Sequence, residues 1–159
     1  MQKAVFLDRD GVINKEIGDY TYKAEDLTVN QGVKENIERL CKNGFLVIVI
    51  SNQGGIAKGI YTKADVENIH RLIISEIGKN LITDIFYCPH HDQIESCLCR
   101  KPGSLMFEKA LAMYNIDPAK SYMIGDSDRD IVAAEKVGIR SIKIEANRNI
   151  LSICDKIVN

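Results

Sequence analysis

Val5-Phe6-Leu7-Asp8-Arg9-Asp10-Gly11-Val12 is a short apolar run that ends in two carboxylates and a glycine. An apolar segment of this length, stopped by polar residues and Gly, predicts a buried strand running into a tight turn. Such a strand delivers Asp8 and Asp10 to the carboxyl edge of a parallel sheet, the edge where ligands bind in open α/β proteins. Two carboxylates so close repel each other unless a cation joins them or one holds a proton. The stretch therefore predicts an ion site, a catalytic site, or both. A calcium loop of the EF-hand type also begins Asp-x-Asp, but it needs Gly at its sixth position, and Gly11 falls at the fourth. A plain structural turn is the competing reading.

Outward from this stretch, apolar runs alternate with helical periodicity. Strands are expected at 3–7, 45–50, 85–87, 122–124 and 141–144. One helix carries Val33, Ile37, Leu40 and Cys41 and stops at Gly44. A second follows Thr62 and Asp65, which read as a capping box, and presents Val66, Ile69, Ile73 and Ile77 on one face. Further helices are expected over 105–114, over 131–137 and in a short terminal segment. The alternation predicts an α/β fold, a parallel sheet with helices on both faces. No repeat, low-complexity tract or linker interrupts it, so residues 1–159 read as a single domain.

Composition narrows the class. The 159 residues are 45% apolar and 27% charged, enough to bury a core. The net charge of −1 supplies no basic field for nucleic acid. No apolar run reaches the roughly 18 residues of a membrane span. The N-terminus has neither the basic segment nor the long apolar stretch of a signal peptide, which predicts a cytoplasmic protein. Nothing demands a dimer, and a monomer is expected. Three of the five cysteines fall between Cys88 and Cys99, a clustering that favours metal over disulfides in a reducing compartment.

The other expected strand ends also carry chemistry. Ser51-Asn52-Gln53-Gly54-Gly55 offers a hydroxyl, two amides and open backbone N–H groups, a loop that can cradle a phosphate. Arg100-Lys101-Pro102 precedes a helix, and its two cations can neutralise a phosphoryl group. Gly125-Asp126-Ser127-Asp128-Arg129-Asp130 follows a strand, and one of its carboxylates would complete an oxygen-rich Mg²⁺ site with Asp8. Asp128 reads as the N-cap of the next helix. Each motif alone is also readable as a polar turn or a solvated charge.

Together, in this order and at these places, the four resemble the motifs of the haloacid dehalogenase superfamily of phosphohydrolases over essentially the whole chain. The resemblance implies a Rossmann-like fold and Mg²⁺-dependent phosphoryl transfer through an aspartyl phosphate. Carried over residue by residue, it implies that Asp8 is the nucleophile and that Asp8, Asp126 and the backbone carbonyl of Asp10 hold Mg²⁺. It implies that Asp10 moves the proton, Ser51 holds a phosphoryl oxygen, Lys101 offsets charge, and Asp130 orients Lys101 or the metal surroundings. Asn52 and Gln53 are expected at the substrate. Receiver domains, which also place carboxylates and a Lys around Mg²⁺, lack an acid–base residue at the place of Asp10.

Cys88-Pro89-His90 and Cys97-Leu98-Cys99 form a second donor set. Three thiolates and an imidazole suit tetrahedral Zn²⁺ in a closed, structural site. His91 competes with His90 for the fourth place. Cys41 and Cys154 read as buried hydrophobes. With Ser51 through Gly59 and the Cys99-Arg100-Lys101-Pro102 run, the cluster resembles the branch of the superfamily that holds heptose-bisphosphate and histidinol-phosphate phosphatases. That branch implies a small-molecule sugar phosphate as substrate, with histidinol phosphate as the alternative. The intervals between motifs leave no room for a cap domain. Substrate choice is then expected from the loops at 16–19 and 53–58 and from the zinc loop, with Arg100 reading the substrate and Lys58 on the surface.

Overall fold

The computed structural model describes residues 1–158; Asn159, the last residue of the expected domain span, lies outside the described residues. Five strands, β1 (Lys3–Leu7), β2 (Phe45–Asn52), β3 (Asp84–Cys88), β4 (Tyr122–Gly125) and β5 (Arg140–Lys143), form one sheet. All four pairings are parallel, in the order β3-β2-β1-β4-β5. The helices are α1 (Val33–Lys42), α2 (Lys63–Ile77), α3 (Leu105–Met113), α4 (Asp128–Glu135) and α5 (Leu151–Val158). Because side chains alternate along a strand, β1 serves two cores at once. Val5 and Leu7 pack with Ile37 and Leu40 of α1, Ile69 and Ile73 of α2, and Cys154 of α5. Ala4 and Phe6 face the other way, toward Met106 and Phe107 of α3 and Ala133 and Ala134 of α4. Each fully buried aliphatic or aromatic side chain of this kind contributes about 1.5–3 kcal/mol. Among the described residues no helix is long and apolar enough to cross a membrane.

From β1 the chain moves to β2 and β3 on one side, then crosses back to β4 on the other. A crevice opens at the carboxyl ends of β1 and β4, where the direction of winding switches. Asp8 follows the first of these strands and Asp126 the second. Gly11 lets the loop after β1 close down on β4. Its φ is +87°, and a Cβ there would collide with the Asp126 carboxylate.

Some expected boundaries move. β2 continues two residues past Ile50, because Ser51 and Asn52 still pair with Tyr87 and Cys88 of β3. α4 begins at Asp128 rather than at Ile131. Its N-cap is Ser127, not Asp128: Ser127 Oγ accepts the Arg129 N–H at 3.1 Å, and the Asp130 carboxylate accepts the Ser127 N–H at 3.1 Å. Asp128 instead turns outward to Lys143 at 2.7 Å, since the hydroxyl one position earlier already satisfies the helix start.

Candidate active site

At the head of β1 the Asp8 N–H bonds the Ile124 carbonyl of β4 at 3.0 Å, which seats Asp8 between the two strands. Lys101 reaches into the same place. Its Nζ lies 2.8 Å from Asp8 Oδ1, 2.5 Å from Asp130 Oδ1 and 2.8 Å from the Ile50 carbonyl. Lys101 and Asp130 are 2% and 1% exposed, so the ammonium is a buried bridge between two carboxylates. Asp130 fits there because Gly125 has no side chain: a Cβ on Gly125 would collide with it.

Carboxylate oxygens of Asp8, Asp126 and Asp130 all lie within 4.8 Å of one another. Burial pushes the Asp8 carboxyl up to about 7 against the pull of Lys101, with Asp130 adding to the rise. Asp126 is also raised, by burial first and Asp130 second. Burial works against the Lys101 charge, but Asp8 and Asp130 outweigh it and hold the ammonium above its ordinary value. Three carboxylates against one ammonium leave surplus negative charge in a buried place. An all-oxygen donor set of this kind fits a hard divalent cation, whose charge would remove that penalty.

Asp10 points to a different side of the crevice. Its carboxylate accepts from Arg9 Nε at 3.1 Å, Arg9 Nη2 at 2.9 Å, Asn14 Nδ2 at 3.0 Å and Gln53 Nε2 at 3.1 Å. The side chain therefore stands outside the three-carboxylate group, leaving only its backbone carbonyl for a shared ion. Arg9, between the two aspartates, is itself buried, and Nη2 also donates to the Thr21 carbonyl at 2.9 Å.

Asn52 at the end of β2 and Gln53 just after it both line the crevice, where they hold neighbouring groups of the site. Asn52, expected at the substrate, spends its amide on the Lys101 backbone: Oδ1 accepts the Lys101 N–H at 3.0 Å and Nδ2 donates to the Lys101 carbonyl at 3.1 Å. Gln53 donates to Asp10 and also to Ser51 Oγ, at 2.8 Å. Ser51 is 1% exposed and sits beneath the crevice at the end of β2.

Four donor atoms from Cys88, His90, Cys97 and Cys99 also lie within 4.8 Å of one another. Cys88 Sγ is 3.0 Å from Cys99 Sγ, 3.6 Å from Cys97 Sγ and 3.5 Å from His90 Nδ1. His90, not His91, joins the thiols; His91 turns to Asp92 and the crevice. The tetrad fits one thiophilic ion with four protein donors. It also holds Arg100, whose N–H donates to Cys97 Sγ at 3.4 Å and whose Nη1 donates to the His90 carbonyl at 3.1 Å.

These groups surround a cavity of about 380 Å³ lined by Asp8, Asp10, Arg100, Lys101, Asp126 and Asp130. Its outer walls are Glu16, Asp19, Tyr20 and Thr21 on one side, Gln53, Gly54 and His91 on another, and Ser127 and Arg129 near α4. Arg9 also lines the cavity, and the motif pattern gave no role to Arg9, Tyr20, Thr21 or Arg129. The position of Arg9 between two aspartates was the available signal. Arg129, between Asp128 and Asp130, carried the same signal, whereas Tyr20 had none, since only folding brings it to the crevice.

A crevice at the switch point of a parallel sheet, holding a lysine-bridged carboxylate pair and a third carboxylate, defines a haloacid-dehalogenase-like hydrolase. Residues 98–148 match the HAD-hydrolase-like family model. A D-glycero-beta-D-manno-heptose-1,7-bisphosphate 7-phosphatase of Haemophilus ducreyi is 35% identical over 148 residues, 88% of this chain and 81% of that protein. A D-glycero-alpha-D-manno-heptose-1,7-bisphosphate 7-phosphatase of Photorhabdus laumondii is 38% identical over 146 residues, 86% of this chain and 79% of that protein. The crystal structure of a D,D-heptose 1,7-bisphosphate phosphatase from B. bronchiseptica, complexed with magnesium and phosphate, superposes with a TM-score of 0.85 at 28% identity, covering 96% of this chain and 86% of that one. The chain belongs to the haloacid dehalogenase superfamily phosphatases, in the branch of the heptose-bisphosphate phosphatases, and it is a phosphatase.

Proposed function

We propose that this phosphatase hydrolyses the 7-phosphate of a D-glycero-D-manno-heptose 1,7-bisphosphate, in a Mg²⁺-dependent reaction through an aspartyl phosphate on Asp8. The observation that carries the mechanism is the buried Lys101 ammonium 2.8 Å from Asp8 Oδ1 at the crevice. A carboxylate repels a phosphate dianion, and a fixed cation beside the attacking oxygen offsets that repulsion. The relatives' names support the sugar.

An Asp8 oxygen forms a bond to phosphorus as the bond to the sugar oxygen breaks. Asp10 gives the departing oxygen its proton. Water then attacks the aspartyl phosphate, giving a proton to Asp10, and the phosphorus–Asp8 bond breaks to release phosphate. Ser51 holds a phosphoryl oxygen, and Asp130 keeps Lys101 aimed at Asp8. Gln53 steadies Asp10, and Asn52 serves substrate binding by fixing the Lys101 backbone. Mg²⁺ would be held by Asp8, Asp126 and the Asp10 carbonyl, and when bound it supplies positive charge to the phosphoryl oxygens. Zn²⁺ would be held by Cys88, His90, Cys97 and Cys99 as a structural ion, and Arg100, bonded to Cys97 Sγ and the His90 carbonyl, faces the part of the substrate beyond the transferred group.

The deciding experiment is phosphate release, in Mg²⁺, from both anomers of the heptose bisphosphate and from histidinol phosphate. Turnover of the heptose bisphosphate well above the other is expected, and preference for histidinol phosphate would overturn the substrate assignment. Asp8→Asn should release no phosphate from any of them; turnover in that variant would remove Asp8 as nucleophile.

A further inference from the structure

The amide of Gln53 can face either way, and its direction decides what Asp10 meets. With Nε2 inward it donates to Asp10 Oδ2 at 3.1 Å and to Ser51 Oγ at 2.8 Å. Turned over, it would set a carbonyl oxygen against Asp10 Oδ2, an oxygen that already accepts from Arg9 Nε, and so place acceptor against acceptor. The Tyr61 hydroxyl favours the first arrangement by donating to Gln53 Oε1 at 2.8 Å. The phenol is built into the fold. Tyr61 is 5% exposed, and its ring occupies the space that a Cβ on Gly55 would need. Tyr22 stacks on it at 5.1 Å between centroids, and Tyr20 meets it edge-on at 5.5 Å. Burial raises the phenol to about 12, so it remains a donor throughout the neutral range.

We propose that Tyr61 is a positioning residue for the phosphatase reaction, its hydroxyl locking the Gln53 amide so that one NH₂ group serves Asp10 and Ser51 together. The inference rests on the roles proposed above for those two residues. Arg9 and Asn14 also hold Asp10, but Gln53 is the group that joins it to Ser51. Losing the lock therefore loosens the geometry around the transferred phosphoryl group and leaves the distant parts of the substrate untouched. The loss belongs in kcat and not in KM.

Tyr61→Phe removes the hydroxyl and keeps the stacked ring. Its kinetics are measured on p-nitrophenyl phosphate and on heptose bisphosphate in Mg²⁺, beside Asp10→Asn, Gln53→Ala and the Tyr61→Phe/Gln53→Ala double variant. Tyr61→Phe is expected to lower kcat by about three- to tenfold, the worth of one hydrogen bond, with KM within about twofold. In the Gln53→Ala background the same change should cost nothing further, because the lock has nothing to hold. An unchanged kcat, or an equal loss in both backgrounds, would overturn the proposal. Side-chain amide NMR compares the unmutated protein with Tyr61→Phe. Faster solvent exchange of the Gln53 NH₂ protons in the variant supports the lock, and equal exchange in the two proteins refutes it. Turnover retained in Asp10→Asn would instead overturn the acid–base reading of the site. An inactive Asp10→Asn beside an unaffected Tyr61→Phe would remove the lock alone.

Discussion

Lys101 is an ammonium almost without solvent, held by two carboxylates and a carbonyl. Desolvating a charge costs several kcal/mol, and it persists here because each partner is within hydrogen-bond reach. Lys101→Met leaves Asp8 and Asp130 facing each other with nothing between. It should cost about 3 kcal/mol of unfolding free energy and roughly a thousandfold of phosphate release. Denaturant titration and a phosphate assay measure both, and a variant with near-normal turnover would show that the ammonium is not needed. Gly11→Ala should act on the same cluster from the other side, because its Cβ needs the space of the Asp126 carboxylate. About 1–3 kcal/mol of stability is expected to go with the positive φ, together with a weakened response of activity to Mg²⁺. The aspartates and Ser51 stand out as polar residues after apolar runs, and Lys101 as a cation beside Arg100. Each alone also reads as a turn or a solvated charge, and only their order along the chain makes them legible together. The role of Arg9 was not legible: its burial and its grip on both oxygens of Asp10 are properties of the folded packing.

Among the elements, α2 was the most readable, since Thr62 and Asp65 cap it reciprocally and its isoleucines repeat on one face. The same helix carries His70, which the apolar stripe hid. His70 is buried against the Tyr87 ring, its Nε2 has no partner among the described residues, and burial, then Arg9, lowers it to about 3. Folded His70 thus stays neutral where the unfolded chain's histidine, with an ordinary value near 6.5, takes up a proton. The stability it lends is complete above about pH 6.5 and falls as the pH drops from there toward 3. About 2 kcal/mol should be lost by pH 5, and His70→Leu should flatten that limb of the stability profile. Equal slopes in the two proteins between pH 7.5 and 5 would refute the assignment. At α4 the signal was present and the weight misplaced. Ser127 and Asp130 have capping-box spacing, but the two aspartates around Arg129 drew attention away from the hydroxyl.

Across the whole molecule, the sheet order brings four distant segments, around Asp8, Gln53, Lys101 and Asp126, to one crevice, and the Cys–His tetrad adjoins the third of them. Arg100 is tied to the tetrad through its backbone and its guanidinium. Lys101 follows directly and is clamped by Asn52. Purified protein should contain about one zinc per chain. Stripping it with a thiol-competing chelator, or replacing Cys97 and Cys99 together with Ser, should lower the thermal midpoint and raise KM more than it lowers kcat. Unchanged thermal behaviour in the metal-free protein would show that the tetrad does not brace the loop. Removal of Mg²⁺ should have a different signature: turnover stops and returns when the ion is restored, with the fold intact.

By itself the sequence determined the strand-helix alternation, the residue types at each strand end and the Cys–His grouping, because periodicity and local spacing are carried by neighbours in the chain. Tertiary structure alone decided that Asn52 would clamp Lys101, that Asp130 would join Asp8 around the Lys101 ammonium, and that Tyr61 would reach Gln53. Those outcomes depend on which side chains the sheet order and loop packing bring within about 3 Å, the range in which hydrogen bonds and ion pairs act.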